Sequence, residues 1–546
     1  MTDTLRVAVV QLNFTVGDIP GNATRIIAAA EQARVLHGCD LAVFPELALT
    51  GYPPEDLLLR PAFLAQADDG LEHIARSVSG IAVLVGYPLA ERERLYNAAA
   101  FLDSGRRLGI YRKRQLPNYS VFDERRYFDP GHEPGVIDYR GMRFGVTICE
   151  DVWRDGPVEE TVAAGAQLVI NLNASPFHIG RDDERLAVVA ERARASRVPI
   201  IYAHMVGGQD ELVFDGASFV VDRDGSLTQR ARHFDEDLMV CEIGLTVDPV
   251  PVAGEINSLA SVEEGVYRAL TSGVRDYVGK NGFRGAVVGL SGGIDSALTL
   301  AIAADALGAD AVQAVLMPSR YTSAMSIEDA RTQADALGVV HHQISIEPMF
   351  EAFLEQLAPV FGGAPLDATE ENLQARCRGV LLMAISNKSG GMVLTTGNKS
   401  EMAVGYATLY GDMAGGFAAI KDVSKTLVYR LAGYRNTVSP VIPERVLTRP
   451  PSAELAPDQK DEDTLPPYEI LDPILEMYIE QDRSPEEIVA RGFASDVVHR
   501  VAQLVDRNEY KRRQAAPGVR ITRRAFGRDR RYPITSGFKS RGGTTV

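Results

Sequence analysis

The chain has 546 residues, more than a single hydrophobic core usually organises, so at least two domains are expected. Hydrophobic residues make up 45% and charged residues 24%, a balance typical of globular proteins and not of disordered or fibrous ones. The formal net charge of −16 argues against a general nucleic-acid partner, because phosphate backbones favour basic surfaces.

The sequence shows no targeting or membrane signal. It contains no run of about 18 apolar residues, and residues 1–7 lack the charged-then-apolar order of a signal peptide. The cysteines Cys39, Cys149, Cys241 and Cys377 form no CxxC pair, so neither a disulfide framework nor a zinc site is predicted. We therefore expect a cytoplasmic protein with no membrane partner.

Residues 1–245 are predicted to form an α/β domain, because apolar runs alternate with amphipathic segments. A helix is predicted from an Asn22 cap to Leu36, ended by Gly38. The predicted strands are Val7–Leu12, Leu41–Phe44, Ala82–Val85, Ala98–Leu102, Phe144–Ile148, Leu168–Leu172, Ile200–Met205 and Phe219–Val221. Prolines and glycines interrupt any periodicity over residues 246–261, which we interpret as a linker.

Residues 262–546 are predicted to form a second α/β domain with a doubly wound parallel sheet. Its predicted strands are Ala286–Leu290, Val312–Leu316, Val339–Ile344 and Met392–Thr396. Ligands bind such sheets at the carboxyl ends of the strands, where the loops that begin at Ser291 and Thr396 lie. The acidic, proline-rich segment 450–467 is expected to be a surface loop near that site.

The strongest motif is Ala286-Val-Val-Gly-Leu-Ser-Gly-Gly-Ile-Asp-Ser296, in which a strand leads through a glycine turn into an apolar helix. Backbone N–H groups and the helix N-terminus favour a phosphate there, glycine lets the backbone approach it, and Asp295 offers a carboxylate to Mg²⁺. The motif resembles the SGGxDS loop of the N-type ATP pyrophosphatases. The resemblance implies that ATP is bound by Gly289, Leu290, Ser291, Gly292, Gly293, Ile294, Asp295, Ser296 and Thr396.

Three further polar segments, Glu370–Arg378, Thr395–Glu401 and Tyr410–Gly416, would each alone be typical of a capped helix or a surface turn. Together with Pro451–Asp463 they resemble the NAD synthetases over all of residues 262–546. The resemblance implies that Asp295 and Glu401 hold Mg²⁺ and that Asn372, Glu401 and Lys511 contact deamido-NAD⁺. It assigns no role to Lys421, Asp422 or Lys425. By composition alone the basic stretch 511–531 is either a solvated tail or a contact with ligand phosphate or another subunit.

Cys149 follows an apolar strand, a position where a lone cysteine is usually a small buried hydrophobe. With Glu46, which also follows a strand, and Lys113, it resembles the Glu–Lys–Cys triad of the nitrilase superfamily, whose fold is an α-β-β-α sandwich. In that chemistry Glu46 is the general base, Cys149 the nucleophile, and Lys113 stabilises thiolate and oxyanion. Glu124 matches the second glutamate of many nitrilases.

The two halves together resemble the glutamine-dependent NAD⁺ synthetases. That resemblance implies L-glutamine binding by Tyr119, Ser175 and Arg181, although lysine is common in the family at the last position. It implies amidation of deamido-NAD⁺ through an adenylate, with ATP and Mg²⁺, by a homo-oligomer that is a dimer through the synthetase domain or an octamer. Alternatives are another ATP-pyrophosphatase amidotransferase, whose glutaminases are of other types, and a non-catalytic nucleotide-binding regulator, which would have a broken triad or ATP loop.

Overall fold

The computed structural model describes residues 4–245, 248–457, 459 and 461–538. The chain divides into two compact units, residues 1–260 and 261–546. Within the described ranges, no helix is long and apolar enough to cross a membrane.

The first unit contains two large sheets and a separate hairpin. Its strands are β1 (Thr4–Gln11), β2 (Leu41–Val43), β3 (Ala82–Glu91), β4 (Arg94–Asp103), β5 (Arg106–Arg112), β6 (Gly135–Tyr139), β7 (Met142–Ile148), β8 (Leu168–Asn173), β9 (Ile200–His204), β10 (Val206–Gln209), β11 (Leu212–Asp215), β12 (Phe219–Val221), β13 (Leu227–Arg230), β14 (Asp237–Gly244) and β15 (Val250–Pro251). One sheet has the order β15-β14-β1-β2-β3-β4-β5 and the other β13-β12-β9-β8-β7-β6, while β10 pairs with β11. The strands predicted for this half of the chain are all present.

The two large sheets pack face to face, and helices cover their outer sides. Alternation along β1 shows how: Val7 and Val9 point into the core shared with Phe144 of the other sheet, whereas Ala8 and Val10 point to the helical layer. The helices are α1 (Ile19–His37), α2 (Pro61–Ser77), α3 (Pro157–Ala163) and α4 (Arg181–Ser196). This arrangement confirms the predicted α-β-β-α sandwich.

Helix α1 begins earlier than predicted. The side chain of Asp18 caps it by accepting from Gly21 N–H at 3.0 Å, and Gly38 ends it in the left-handed conformation. Asn22, predicted as the cap, lies inside the helix. Its amide donates to Thr15 O at 2.8 Å and so ties the helix to the preceding loop.

The second unit contains a parallel sheet of order β18-β17-β16-β19-β20. Its strands are β16 (Ala286–Gly289), β17 (Val312–Leu316), β18 (Val340–Gln343), β19 (Met392–Thr395) and β20 (Phe417–Ala418). The strand order reverses direction between β16 and β19, so the loops after these two strands open a crevice at the carboxyl edge. The predicted doubly wound sheet is therefore confirmed.

Helices surround this sheet and continue beyond it. They are α5 (Val262–Lys280), α6 (Ile294–Leu307), α7 (Ala324–Leu337), α8 (Glu347–Phe361), α9 (Ala368–Ser389), α10 (Lys399–Val404), α11 (Lys425–Val438), α12 (Glu444–Thr448), α13 (Tyr468–Leu475), α14 (Pro485–Val489), α15 (Ser495–Arg507) and α16 (Glu509–Arg512). Residues from α10, α13 and α15 share a separate apolar cluster that includes Met402, Leu471 and Val501. This cluster fixes the short helix that carries Glu401.

Two segments predicted to be irregular contain short ordered elements. Within the predicted linker, Val250–Pro251 pairs with β14, and the Ser261 side chain caps α5 by accepting from Glu264 N–H at 3.2 Å. The predicted loop 450–467 contains a 3₁₀ turn, Asp461–Asp463, in which Asp461 is buried.

Candidate active sites

Glu46 lies in the loop after β2 and is completely buried. Its Oε1 accepts from Asn97 Nδ2 at 2.7 Å, and its Oε2 accepts from Ala174 N–H at 3.0 Å. Gly86 of β3 makes room for this loop, because a Cβ at that position would lie 2.3 Å from Leu47 N. A donor from β4 and a donor from the segment after β8 therefore fix the two oxygens of this carboxylate.

Lys113 follows β5 and carries a buried ammonium between two carboxylates. Its Nζ donates to Glu46 Oε1 at 2.7 Å and to Glu124 Oε1 at 2.8 Å. Tyr52 O–H also donates to Glu124 Oε1, at 3.2 Å. Burial would lower the pKa of Lys113, but the charges of Glu124 and Glu46 outweigh it and hold the pKa well above its ordinary value. The lysine is therefore a permanent cation in the first unit.

Cys149 stands at a tight turn after β7, with a left-handed φ of 44° that is uncommon for a residue with a side chain. Asp151 organises this turn. Its Oδ2 accepts from Tyr111 O–H at 2.8 Å and its Oδ1 from Gln115 N–H at 2.8 Å. Since Tyr111 and Gln115 flank Lys113 in the chain, one buried carboxylate ties the cysteine turn to the lysine segment.

The thiol of Cys149 is electrostatically coupled to the other two members of the predicted triad. Burial raises its pKa well above the ordinary value, the charge of Glu46 raises it further, and the ammonium of Lys113 lowers it. The resting thiol is consequently protonated. Because only the thiolate is a strong nucleophile, this cysteine needs a neighbouring base to react, and Glu46 is in the same cluster.

The three residues predicted to bind glutamine lie in the same region as the cysteine turn. Arg181 Nε donates to Ser175 Oγ at 3.3 Å, and its guanidinium lies 4.1 Å from the centre of the Trp153 ring. Tyr119 O–H donates to Oε2 of Glu150, the residue after the cysteine, at 2.8 Å. The structure therefore brings together a hydroxyl, a cation and a phenol beside the turn that carries the thiol.

Glu124 provides a pH-dependent test of this cluster. Burial raises its pKa to about 7, against an ordinary value of 4.5, although Lys113 opposes the shift. Between these two values the folded chain binds more protons than the unfolded chain, so stability is lost as pH rises through this window. Glu124→Gln cannot ionise but can still accept from Lys113 and Tyr52. We expect the free energy of unfolding of Glu124→Gln to equal that of the wild type below pH 4.5 and to exceed it by ~3 kcal/mol above pH 7.

Melting temperatures of both proteins from pH 4 to pH 8 measure this difference. A difference that does not change with pH would contradict the raised pKa of Glu124.

The phosphate-type loop in the second unit is closed by its own hydroxyls. Ser291 Oγ accepts from Gly293 N–H at 3.2 Å and lies 3.1 Å from Ser296 Oγ. Gly292 has a left-handed φ of +82°, and a Cβ there would lie 2.2 Å from Ser326 O of α7. A neighbouring helix and its own φ therefore require a glycine here, and its predicted contact with pyrophosphate stays a prediction.

A cavity of about 530 Å³ opens at the carboxyl edge of the parallel sheet, within the usual size of ligand pockets. It is lined by these predicted residues: Gly289, Leu290, Ser291, Gly293, Ile294, Asp295, Ser296, Asn372, Thr396, Glu401 and Lys511. Gly292 is the predicted residue that does not line it. The loops after β16 and β19, helix α9 and the C-terminal region therefore converge on one space.

Lys425, to which sequence reasoning assigned no role, bridges the two predicted magnesium ligands. Its Nζ donates to Glu401 Oε1 at 3.2 Å and forms an ion pair with Asp295. Asn398 Nδ2 donates to the other oxygen of Asp295 at 2.8 Å. Burial raises the pKa of Glu401 to about 8, with Lys425 lowering it and the charges of Asp295 and Asp461 raising it. The sequence signal that could have identified Lys425 is its position as the first residue of α11, the helix that follows β20.

Magnesium would suit the oxygens of this cluster. Asp295, Glu401 and Asp461 offer hard carboxylate donors that face the cavity, and a bound pyrophosphate supplies further oxygens. Lys425 offsets part of their charge.

The remaining predicted ligand contacts also face the cavity. Asn372 Oδ1 accepts from Thr408 Oγ1 at 2.9 Å. Lys511 Nζ donates to Gly405 O and Ala407 O, both at 2.8 Å, which leaves its third N–H available. Burial lowers the pKa of this lysine.

The other two unassigned residues hold the C-terminal segment. Lys421 Nζ donates to Ala516 O at 2.8 Å, and Asp422 Oδ2 accepts from Ile521 N–H at 2.8 Å. Arg512 and Arg530 converge on buried Glu509. The basic stretch is therefore partly an internal structural element and not simply a solvated tail.

Comparison with known proteins agrees with this architecture. Residues 6–247 match the carbon-nitrogen hydrolase family and residues 266–515 match NAD synthase. The glutamine-dependent NAD(+) synthetase of Xylella fastidiosa strain 9a5c is 53% identical over 99% of this chain and 100% of its own length, and that of Acinetobacter baylyi is 51% identical over 98% and 99%. The solved glutamine-dependent NAD⁺ synthetase of Acinetobacter baumannii, in complex with ADP, superposes with a TM-score of 0.80 at 46% identity, covering 99% of this chain and 100% of that chain.

Fold and sites together define an enzyme that joins a nitrilase-type carbon–nitrogen hydrolase unit to an NAD synthase unit in one polypeptide. Two relatives that match nearly the whole chain at more than 50% sequence identity identify the particular family within this class. The chain belongs to the glutamine-dependent NAD(+) synthetases, which are ligases.

Proposed function

We propose that this chain converts deamido-NAD⁺, ATP, L-glutamine and water into NAD⁺, AMP, pyrophosphate and glutamate. The observation that carries the proposal is the presence of two buried reactive clusters in one chain, a Glu–Lys–Cys cluster and a nucleotide-sized cavity behind a phosphate-type loop. The first releases ammonia from glutamine. The second activates the nicotinate carboxylate as an acyl-adenylate, which that ammonia attacks.

In the glutaminase reaction Glu46 takes the proton of Cys149, and the sulfur attacks the side-chain carboxamide carbon of glutamine. Lys113 stabilises the thiolate and the negative charge that develops on the carbonyl oxygen. The tetrahedral intermediate collapses to a thioester, and the nitrogen receives the proton held by Glu46 and leaves as ammonia. Glu46 then takes a proton from water, whose oxygen attacks the thioester carbon. The carbon–sulfur bond breaks, glutamate is freed, and the Cys149 thiolate recovers the proton from Glu46.

Substrate glutamine is proposed to bind between Tyr119, Ser175 and Arg181. The Arg181 guanidinium is suited to the α-carboxylate, since it can offer two parallel N–H donors. Contacts with the Ser175 hydroxyl and the Trp153 ring hold it in place, and Glu184 Oε2, at 3.0 Å from its Nη1, pairs with part of its charge.

In the synthetase reaction, residues 289–296 and Thr396 are proposed to hold ATP, with backbone N–H groups of the glycine turn donating to phosphate oxygens. Asp295 and Glu401 would hold Mg²⁺, which neutralises charge on the pyrophosphate leaving group. Asn372, Glu401 and Lys511 are proposed to contact deamido-NAD⁺. Lys425 is a neighbouring cation that orients both acidic side chains.

Three organisational features complete the proposal. The functional domains are residues 1–245 and 262–546, joined by the linker 246–261. The chain forms a homo-oligomer, either a dimer through the synthetase domain or an octamer. Each of the four cysteines is free, which suits a reducing compartment such as the cytoplasm.

The purified chain should form NAD⁺ from deamido-NAD⁺ and ATP with either L-glutamine or ammonium chloride as nitrogen donor, and release AMP and pyrophosphate. Product analysis by chromatography, with each nitrogen donor alone, measures this directly. Failure to form NAD⁺ with both donors would refute the proposed function. Formation with ammonium alone would refute the glutaminase assignment.

A further inference from the structure

Outside the triad, the first unit contains a second polar cluster, made of the buried residues Arg185, His204, Asp215 and His233 and the partly exposed Asp182. Arg185 lies on α4, one turn after Arg181, and is 2% exposed. Asp215 ends β11 and is completely buried. Burying a guanidinium is costly unless its hydrogen bonds are made, so the partners of Arg185 are informative about its role.

Arg185 connects Asp215 to the segment 173–175. Its Nη1 donates to Asp215 Oδ2 at 2.6 Å, and its Nη2 donates to the backbone oxygen of Ser175 at 2.6 Å. Burial alone would raise the pKa of Asp215, but the charge of Arg185 outweighs it and keeps the pKa well below its ordinary value. The pair therefore stays ionised, and one arm of the guanidinium is committed to the backbone.

His204 approaches the other end of the same segment. Its Nδ1 lies 3.3 Å from Asn173 O and its Nε2 lies 3.3 Å from Asp215 Oδ1. Burial and the charge of Arg185 lower the pKa of His204, so the ring is neutral and donates one of these two bonds at a time. Asp215 therefore lies beside both Arg185 and His204. These two side chains contact Ser175 O and Asn173 O, the backbone oxygens on either side of Ala174.

The segment between these anchors touches both parts of the glutaminase site. Ala174 N–H donates to Glu46 Oε2 at 3.0 Å, and Ser175 Oγ accepts from Arg181 at 3.3 Å. A shift of the Ser175 peptide would therefore move a donor to the general base and a hydroxyl at the glutamine site together.

A metal ion is a poor alternative occupant for this cluster. Ligand atoms of Asp182, Asp215 and His233 all lie within 4.8 Å of one another. However, the Arg185 guanidinium already donates to both carboxylates, and His233 Nδ1 accepts from Ala260 N–H, which leaves the proton on the nitrogen that faces them. The Arg185 guanidinium therefore already supplies the positive charge that a metal ion would bring to these carboxylates.

We propose that Arg185, held by Asp215, is a positioning residue of the glutaminase reaction: it fixes the Ser175 carbonyl and thereby aligns Ala174 N–H with Glu46 and the Ser175 hydroxyl with Arg181. The inference rests on the proposed glutaminase function. It extends that function to two buried residues that contact neither the thiol nor its base.

The test compares Arg185→Lys with wild type, using glutamine and ammonium separately as nitrogen donors. Lysine keeps the charge beside Asp215 but lacks the fork that reaches Ser175 O at the same time. We expect kcat/KM for glutamine to fall about 10²-fold, with a lower kcat and a higher KM, since misplacement by about 1 Å has effects of this size. NAD⁺ formation from ammonium should be unchanged.

Two further variants keep the result interpretable. Asp182→Asn is the matched control, because Asp182 also contacts Arg185, at 3.3 Å, but does not contact the segment 173–175; glutamine kinetics should be unaffected. His204→Phe keeps a planar ring and removes the contact with Asn173 O, so it should weaken glutamine use even if Arg185→Lys does not fold.

Unchanged glutamine kinetics in folded Arg185→Lys and His204→Phe would overturn the inference. So would equal losses with both nitrogen donors, which indicate a general structural role. A wild-type protein that uses ammonium but not glutamine would instead overturn the glutaminase assignment itself, and this inference with it.

Discussion

Replacing Cys149 by alanine is expected to abolish NAD⁺ formation from glutamine while formation from free ammonium continues. The sulfur is the only atom in the triad that can form a thioester, and Glu46 and Lys113 have no other nucleophile to activate. Alanine removes one atom from a turn that Asp151 holds through backbone and side-chain bonds, so the fold should persist. Rates of NAD⁺ and glutamate formation with each nitrogen donor measure the effect.

Cys241 provides the matched control. It is a completely buried thiol on β14 of the same unit, and burial raises its pKa to about 12, so it is unreactive. Cys241→Ala should keep both activities. Glutamine-dependent NAD⁺ formation by Cys149→Ala at more than trace levels would show that the reaction does not pass through this sulfur.

Asp295→Asn is expected to remove NAD⁺ formation with either nitrogen donor and to leave glutamate release from glutamine. Asparagine keeps the shape of the side chain, but the Lys425 ammonium loses one of its two carboxylate partners and the proposed metal site loses a charge. The glutaminase chemistry needs no metal, so it should survive. Chromatographic measurement of AMP, NAD⁺ and glutamate from one reaction separates the two activities.

Asp310→Asn is a suitable control for this second prediction. Asp310 is an exposed acid that precedes β17, at the edge of the sheet opposite the cavity. Its replacement should change neither activity. AMP release by Asp295→Asn at the wild-type rate would rule out a role for Asp295 in ATP cleavage.

The buried strands could be predicted from the sequence because their apolar runs are continuous. In β8 every residue is buried, and such strands have a recognisable composition. Strand β5 could not be predicted in this way. It lies at the edge of its sheet, its first three residues are exposed, and the sequence Arg-Arg-Leu-Gly-Ile-Tyr-Arg contains no continuous apolar run.

The sites show a similar division. Glu46, Cys149 and Thr396 were predictable because each follows a strand, where side chains reach a pocket, and because they sit in motifs with a known resemblance. The residues that hold them carry no such signal. Asn97 and Arg185 look like an ordinary strand residue and an ordinary helix residue, and only the folded chain brings them to Glu46 and Ser175. Sequence motifs therefore predict the proposed reacting groups but not the residues that hold them in place.

The bridge between Lys425 and the two acids of the synthetase cavity has a consequence for how the cavity is maintained. Two converging carboxylates normally need a dissociable ion to keep them from repelling each other. Here the chain supplies that positive charge from α11, through a side chain that is itself buried. The crevice can thus keep its shape without a divalent ion, so removal of the proposed Mg²⁺ is expected to reduce turnover and not folding.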